Sequence, residues 1–69
     1  DLVDYEKERA RLTAEIVKVS AEVERLDKKL SNQGFVAKAP AAVVDAERAK
    51  LAAAREKLTA TEAALAKLG

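Results

Sequence analysis

Sixty-nine residues with 13 Lys and Arg against 12 Asp and Glu, and with neither cysteine nor histidine, make at most one small domain of almost balanced charge. Disulfides, Cys/His zinc sites, thiol nucleophiles and imidazole bases are thereby excluded, and no apolar run approaches the roughly 20 residues of a bilayer span. A charged third and an apolar half rich in Ala, Leu, Lys, Arg and Glu are the composition of a coiled coil or long helix.

From Leu2 the apolar positions step alternately by three and four through Tyr5, Arg9, Leu12, Ile16, Val19, Val23, Leu26 and Leu30, with Arg9 the one interruption. This is a heptad seam, and the absence of two-residue alternation rules out a strand. The spacing predicts a first helix over residues 2–31. A hinge follows over 32–39. Gly34 offers a positive φ there without steric cost, and Pro40 suits a first helical turn, where its missing N–H has no partner to lose. A second helix is predicted over residues 40–68, with Val44, Glu47, Leu51, Ala54, Leu58, Thr61, Leu65 and Leu68 on its seam. That seam is weaker, because Glu47, Ala54 and Thr61 fill alternate positions.

A short connection makes the two helices antiparallel neighbours, so the fold class is all-α, a two-helix coiled-coil hairpin. In such a hairpin the numbers of facing residues have a constant sum. A hinge centred near Gly34 and Phe35 favours 70, which pairs Leu2 with Leu68 and sets Arg9 opposite the Thr61 hydroxyl. A slip of one heptad, to 77, leaves Leu2 and Tyr5 without partners, so 70 is preferred as burying more. Flanking charges serve both registers, since 70 pairs Glu15 with Lys57 and Glu22 with Lys50, while 77 pairs Asp27 with Arg48 and Glu22 with Lys57. Phe35 and Val36 are expected to plug the open end of the seam against Leu30 and Val44.

A two-helix rod offers no concave, dry site in which catalytic pKa values are shifted, so an enzyme is the least favoured class. No phosphate-binding glycine loop, metal cluster or catalytic triad is present, and no small-molecule substrate is implied. Glu8, Glu15 and Glu22 read as a solvated column facing Lys50 and Lys57. Arg11, Lys18 and Arg25 form a second column, continued toward the hinge by Lys28, Lys29 and Lys38. Arg48 and Arg55 lie on the opposite flank beside Thr13 and Ser20. Cations about 10 Å apart on a helix can follow a phosphate backbone, although heptad-spaced Lys and Arg also occur as a plain solvated face. Phe35 reads as seam packing, with stacking on a nucleobase as the alternative. Ala42, Ala46, Ala49, Ala52, Ala53, Ala60, Ala63 and Ala66 give helix two a smooth outer surface that could dock a protein, or reflect helix propensity alone.

The hinge carries the most specific signal. Leu30, Asn32, Phe35, Val36, Lys38, Ala39, Pro40, Val43, Val44, Glu47, Lys50 and Leu51 read L-x-N-x-x-F-V-x-K-A-P-x-x-V-V-x-x-E-x-x-K-L. This run resembles the C-terminal coiled-coil arm of bacterial valyl-tRNA synthetases. The resemblance implies a single arm, expected to be a piece of a longer cytoplasmic protein since the chain starts at Asp1 without an initiator Met. It implies contact with the outer corner of tRNA-Val, where the D and T loops meet, and attachment to the synthetase body. ATP and magnesium belong to the parent enzyme, with no cofactor in this stretch. Pro40 would start the second helix, Phe35 and the valines Val36, Val43 and Val44 would seal the tip, Glu47 would cap or bond back into the loop, and Lys38 would be free to meet phosphate. A structural or protein-interaction hairpin, and the C-terminal arm of an ABC-F translation factor, are the alternatives.

Overall fold

The computed structural model describes residues 2–69, which form a rod of 53 × 14 × 13 Å. Helix α1 spans Leu2–Ser31, a short helix α2 spans Gln33–Lys38, and α3 spans Ala41–Leu68. Among the described residues there is no strand, and α1 packs antiparallel along α3 as a hairpin. Leu12, Val19 and Leu26, one heptad position of α1, are buried against Val44, Leu51 and Ala54 of α3. The alternate α1 positions Ile16, Val23 and Leu30 are half-buried and Arg9 is exposed, because a layer of only two helices covers one stripe fully and the next in part. Arg9 reaches toward the Tyr5 hydroxyl at 3.5 Å, while the Thr61 hydroxyl donates to the Lys57 carbonyl of its own helix at 2.8 Å. The Arg9–Thr61 pairing expected from the sequence is therefore replaced by two local contacts.

The hinge is more ordered than a turn. Asn32 has extended backbone, and its Oδ1 accepts from Gly34 N at 2.9 Å and Phe35 N at 3.4 Å, which starts α2 as an N-cap does. The expected positive φ at Gly34 is absent. Three extended residues, Asn32, Ala39 and Pro40, reverse the chain around α2, so no left-handed residue is required. Glycine serves a different end: a Cβ at position 34 would lie 3.2 Å from the capping Oδ1. Pro40 stands one residue earlier than predicted, as the N-cap of α3 with φ −56° and ψ 145°, and its carbonyl receives the N–H groups of Val43 and Val44 at 2.9 and 3.1 Å. Ala39, at φ −74° and ψ 146°, takes the extended form that a following proline imposes.

Phe35 and Val36 are half-buried over the hinge end and Val44 is buried, whereas Val43 is exposed. One residue is 100° of helix, so placing Val44 in the seam turns Val43 to the flank and removes it from the expected seal.

The register also differs from the preferred one. The three ion pairs between the helices, Glu15–Lys57, Lys29–Glu47 and Asp27–Arg55, have number sums of 72, 76 and 82, whose average lies nearer 77 than 70. Leu12 shares a surface hollow with Ala64 and Leu68, and Leu2 is 70% exposed, as the slipped register requires. The cause is the hinge helix. A turn of α2 stacked beyond α1 makes α3 start farther out than α1 ends, and the overhang reappears at the opposite end.

Candidate nucleic-acid interface

Heptad geometry puts the basic side chains on two flanks of the seam. On the first, Arg11 donates from Nε to Glu8 Oε1 at 2.7 Å, and Arg25 lies 3.9 Å from Glu22. Lys57 crosses to Glu15 at 2.9 Å. Glu15 is held below its ordinary 4.5 by the hydrogen bond from Lys57 and by that ammonium's charge, with Lys18 and Arg11 adding to the effect. The expected Glu22–Lys50 pair does not form. Lys50 goes instead to Glu47, 3.6 Å away, because an i, i+3 neighbour is always within reach and a cross-helix one depends on register.

The column of Arg11, Lys18 and Arg25 is thus partly neutralised along its own helix, and Lys18 is its member without an ion pair among the described residues. Lys28 pairs with Glu24 at 3.3 Å on the outer face of α1. Lys29 pairs with Glu47 at 3.6 Å and sits 5.0 Å above the centre of the Phe35 ring, so Phe35 is engaged by packing and by a cation on its face. Lys38, in the last turn of α2, is exposed and has no ion pair among the described residues. On the second flank Arg55 pairs with Asp27 at 3.3 Å, while Arg48 has no ion pair among the described residues.

Two residues carry more than their sequence positions announced. Glu47 is not a cap: it stands at a seam position with its carboxylate between Lys29 of α1 and Lys50 of α3. The one signal for this was an acid where the heptad asks for an apolar residue. Lys67 joins Glu8, Arg11, Leu12, Ala64 and Leu68 around the hollow near the end away from the hinge. No signal marked it, since a lysine in a last helical turn is ordinary. Among the described residues no group of acidic side chains is placed to hold a metal ion, and no helix is long and apolar enough to cross a membrane.

A family model described as the valyl-tRNA synthetase tRNA-binding arm matches residues 4–69. The chain is 62% identical over 53 residues to the valine–tRNA ligase of Carboxydothermus hydrogenoformans, covering 77% of this chain and 6% of that protein. It is 52% identical over 68 residues to the valine–tRNA ligase of Clostridium acetobutylicum, covering 99% of this chain and 8% of that protein. With the enzyme of Syntrophotalea carbinolica it shares 51% over 67 residues, covering 97% of this chain and 8% of the relative. The chain therefore spans less than a tenth of the length of the curated relatives it matches. No solved structure matches it. The chain belongs to the family of valyl-tRNA synthetase tRNA-binding arms.

Proposed function

We propose, from that membership, that these 69 residues act as one tRNA-binding arm of a cytoplasmic valine–tRNA ligase, attached to the synthetase body and directed at the outer corner of tRNA-Val. The arm adds phosphate contacts that position the tRNA without reading bases, while the parent enzyme joins valine to the tRNA with ATP and magnesium elsewhere. Its contacts are assigned to Arg11, Lys18 and Arg25, continued by Lys28, Lys29 and Lys38, with Arg48 and Arg55 as the second set. The observation that carries this reading is the family match across residues 4–69. Membership also removes the ABC-F arm as an alternative.

The experiment compares tRNA affinity of the parent synthetase with and without the arm across a salt series. Loss of the arm weakens binding and flattens the salt dependence, since each phosphate contact contributes about 0.7 to 0.9 to the slope of log affinity against log salt. Replacing Arg11, Lys18 and Arg25 together by Ala reproduces part of that loss. Unchanged affinity in that variant overturns the column and leaves Arg48 and Arg55. The protein-docking reading keeps one observation in its favour, the exposure of Ala42, Ala46, Ala49, Ala60 and Ala63 along the outer face of α3. NMR shifts that move with the synthetase body and not with tRNA would select it.

A further inference from the structure

The two flanks differ in the charge left over once ion pairs have formed. On the flank where Glu15 meets Lys57, α1 contributes Arg11, Lys18, Arg25 and Lys29, and α3 contributes Lys50, Lys57 and Lys67. Their carboxylates are Glu8, Glu15, Glu22 and Glu47. Seven cations against four anions leave +3 there, while the six cations and eight anions of the remaining sequence leave −2. Asp4, one heptad below Arg11, marks where this field stops. The opposite flank carries no such surplus, with Arg9, Arg48 and Arg55 against Glu6, Asp27 and Glu62 and with Glu24 and Asp45 at its outer edge.

The surplus is distributed, not piled up. Glu8, Glu15 and Glu22 each take one cation, and Glu47 takes two. What remains is Lys67 near the open end, Lys18 midway, and the Lys29–Glu47–Lys50 cluster beside the hinge. With the observed stagger and the helical rise, these three points lie roughly 12 to 15 Å apart along one side of the rod.

Glu47 makes the cluster unusual. Its side chain is only 13% exposed, whereas those of Lys29 and Lys50 are 40% and 63% exposed. A carboxylate withdrawn from water needs compensating charge, and here two ammonium groups supply it while staying wet themselves. Both lysines lie 3.6 Å from the same Oε1, and Lys29 is further fixed over the Phe35 ring. Two flexible chains from different helices are thereby ordered before any ligand arrives, which lowers the entropy they would lose on binding.

We propose that this flank, and not the one bearing Arg48 and Arg55, faces the RNA backbone, and that Glu47 is a positioning residue that gathers Lys29 and Lys50 into one phosphate clamp. The inference rests on the tRNA reading above. It adds the orientation of the arm and a role for an acid in binding an anion.

The test uses the complete synthetase carrying this arm, with its own uncharged tRNA as the probe and binding measured across a salt series. K18A/K50A/K67A and R9A/R48A/R55A each remove three cations, one set from each flank. The first is expected to weaken binding about tenfold or more and to lower the salt slope by about 2, and the second to cost about twofold. A loss from the second set as large as that from the first overturns the orientation. If neither set changes affinity, it is the tRNA reading of the arm that fails.

E47Q separates positioning from field, because it makes the flank more positive. A field alone predicts tighter binding, whereas the clamp predicts binding weaker by roughly threefold or more with helical circular dichroism retained. Equal or tighter binding overturns the clamp. Should E47Q lose helicity, K50A and K57A replace it as a matched pair of exposed α3 lysines. The clamp requires K50A to weaken binding more than K57A, and the reverse order overturns it.

Discussion

Along α1 the buried leucines and valine close progressively toward the hinge, from 7% exposure at Leu12 through 4% at Val19 to 1% at Leu26, while Leu2 at the far end of the same seam is 70% exposed. The two ends share a heptad pattern and differ in what covers it. Near the hinge, α2 lays Phe35 and Val36 over the seam and α3 overhangs α1. At the open end the stagger leaves Leu2 beyond its partners. A seam is thus only as good as its closure, and closure depends on a six-residue helix that the heptads do not encode.

Four experiments break or sharpen this contrast, beginning with the strongest. Leu26→Ala removes the most buried side chain and should cost about 2 to 5 kcal/mol, enough to abolish cooperative thermal unfolding of a hairpin this small. Its helical circular dichroism should fall accordingly. Asn32→Ala deletes the α2 cap and should cost about 1 kcal/mol, read as a lower urea midpoint with unchanged slope. Acidification acts midway along the rod. Glu15 is held below its ordinary 4.5, so its pairing with Lys57 stabilises the fold above that value, and the contribution is lost as pH falls through the depressed folded value. Denaturation midpoints measured from neutral to strongly acidic pH should show this loss, and Glu15→Gln should reduce it. Leu2→Ala should shift stability by less than about 0.5 kcal/mol, since an exposed side chain has little burial to lose. A loss at Leu2 comparable with that at Leu26 would mean that the seam is closed at both ends.

The hairpin itself was legible because Leu12, Val19 and Leu26 recur every seven residues and Val44 and Leu51 answer them across one break. Register was not, since flanking charges offered pairs to both alternatives and the deciding quantity was the height of α2. Six residues are too few to show helical periodicity, and Gly34 reads as a turn until Asn32 is seen to need the space beside it. At the candidate interface the basic residues were visible as columns. Their neutralisation was not, because Arg11 and Arg25 could turn to glutamates three residues back or remain free, and side-chain torsions decide that. Glu47 appeared as a flaw in the seam and as one residue of the hinge run, and its two lysines lie 21 residues of sequence and one chain reversal apart.

Three non-helical residues, Asn32, Ala39 and Pro40, accomplish the whole reversal, and this sets an order of assembly. Contacts beside the hinge close short loops, and each further layer toward the open end closes a longer one, so the entropic cost of the first contacts is smallest where burial is greatest. Once Leu26 has packed against α3, every later layer joins helices already aligned. The hairpin should therefore zip from tip to base, and it should fray in the reverse direction.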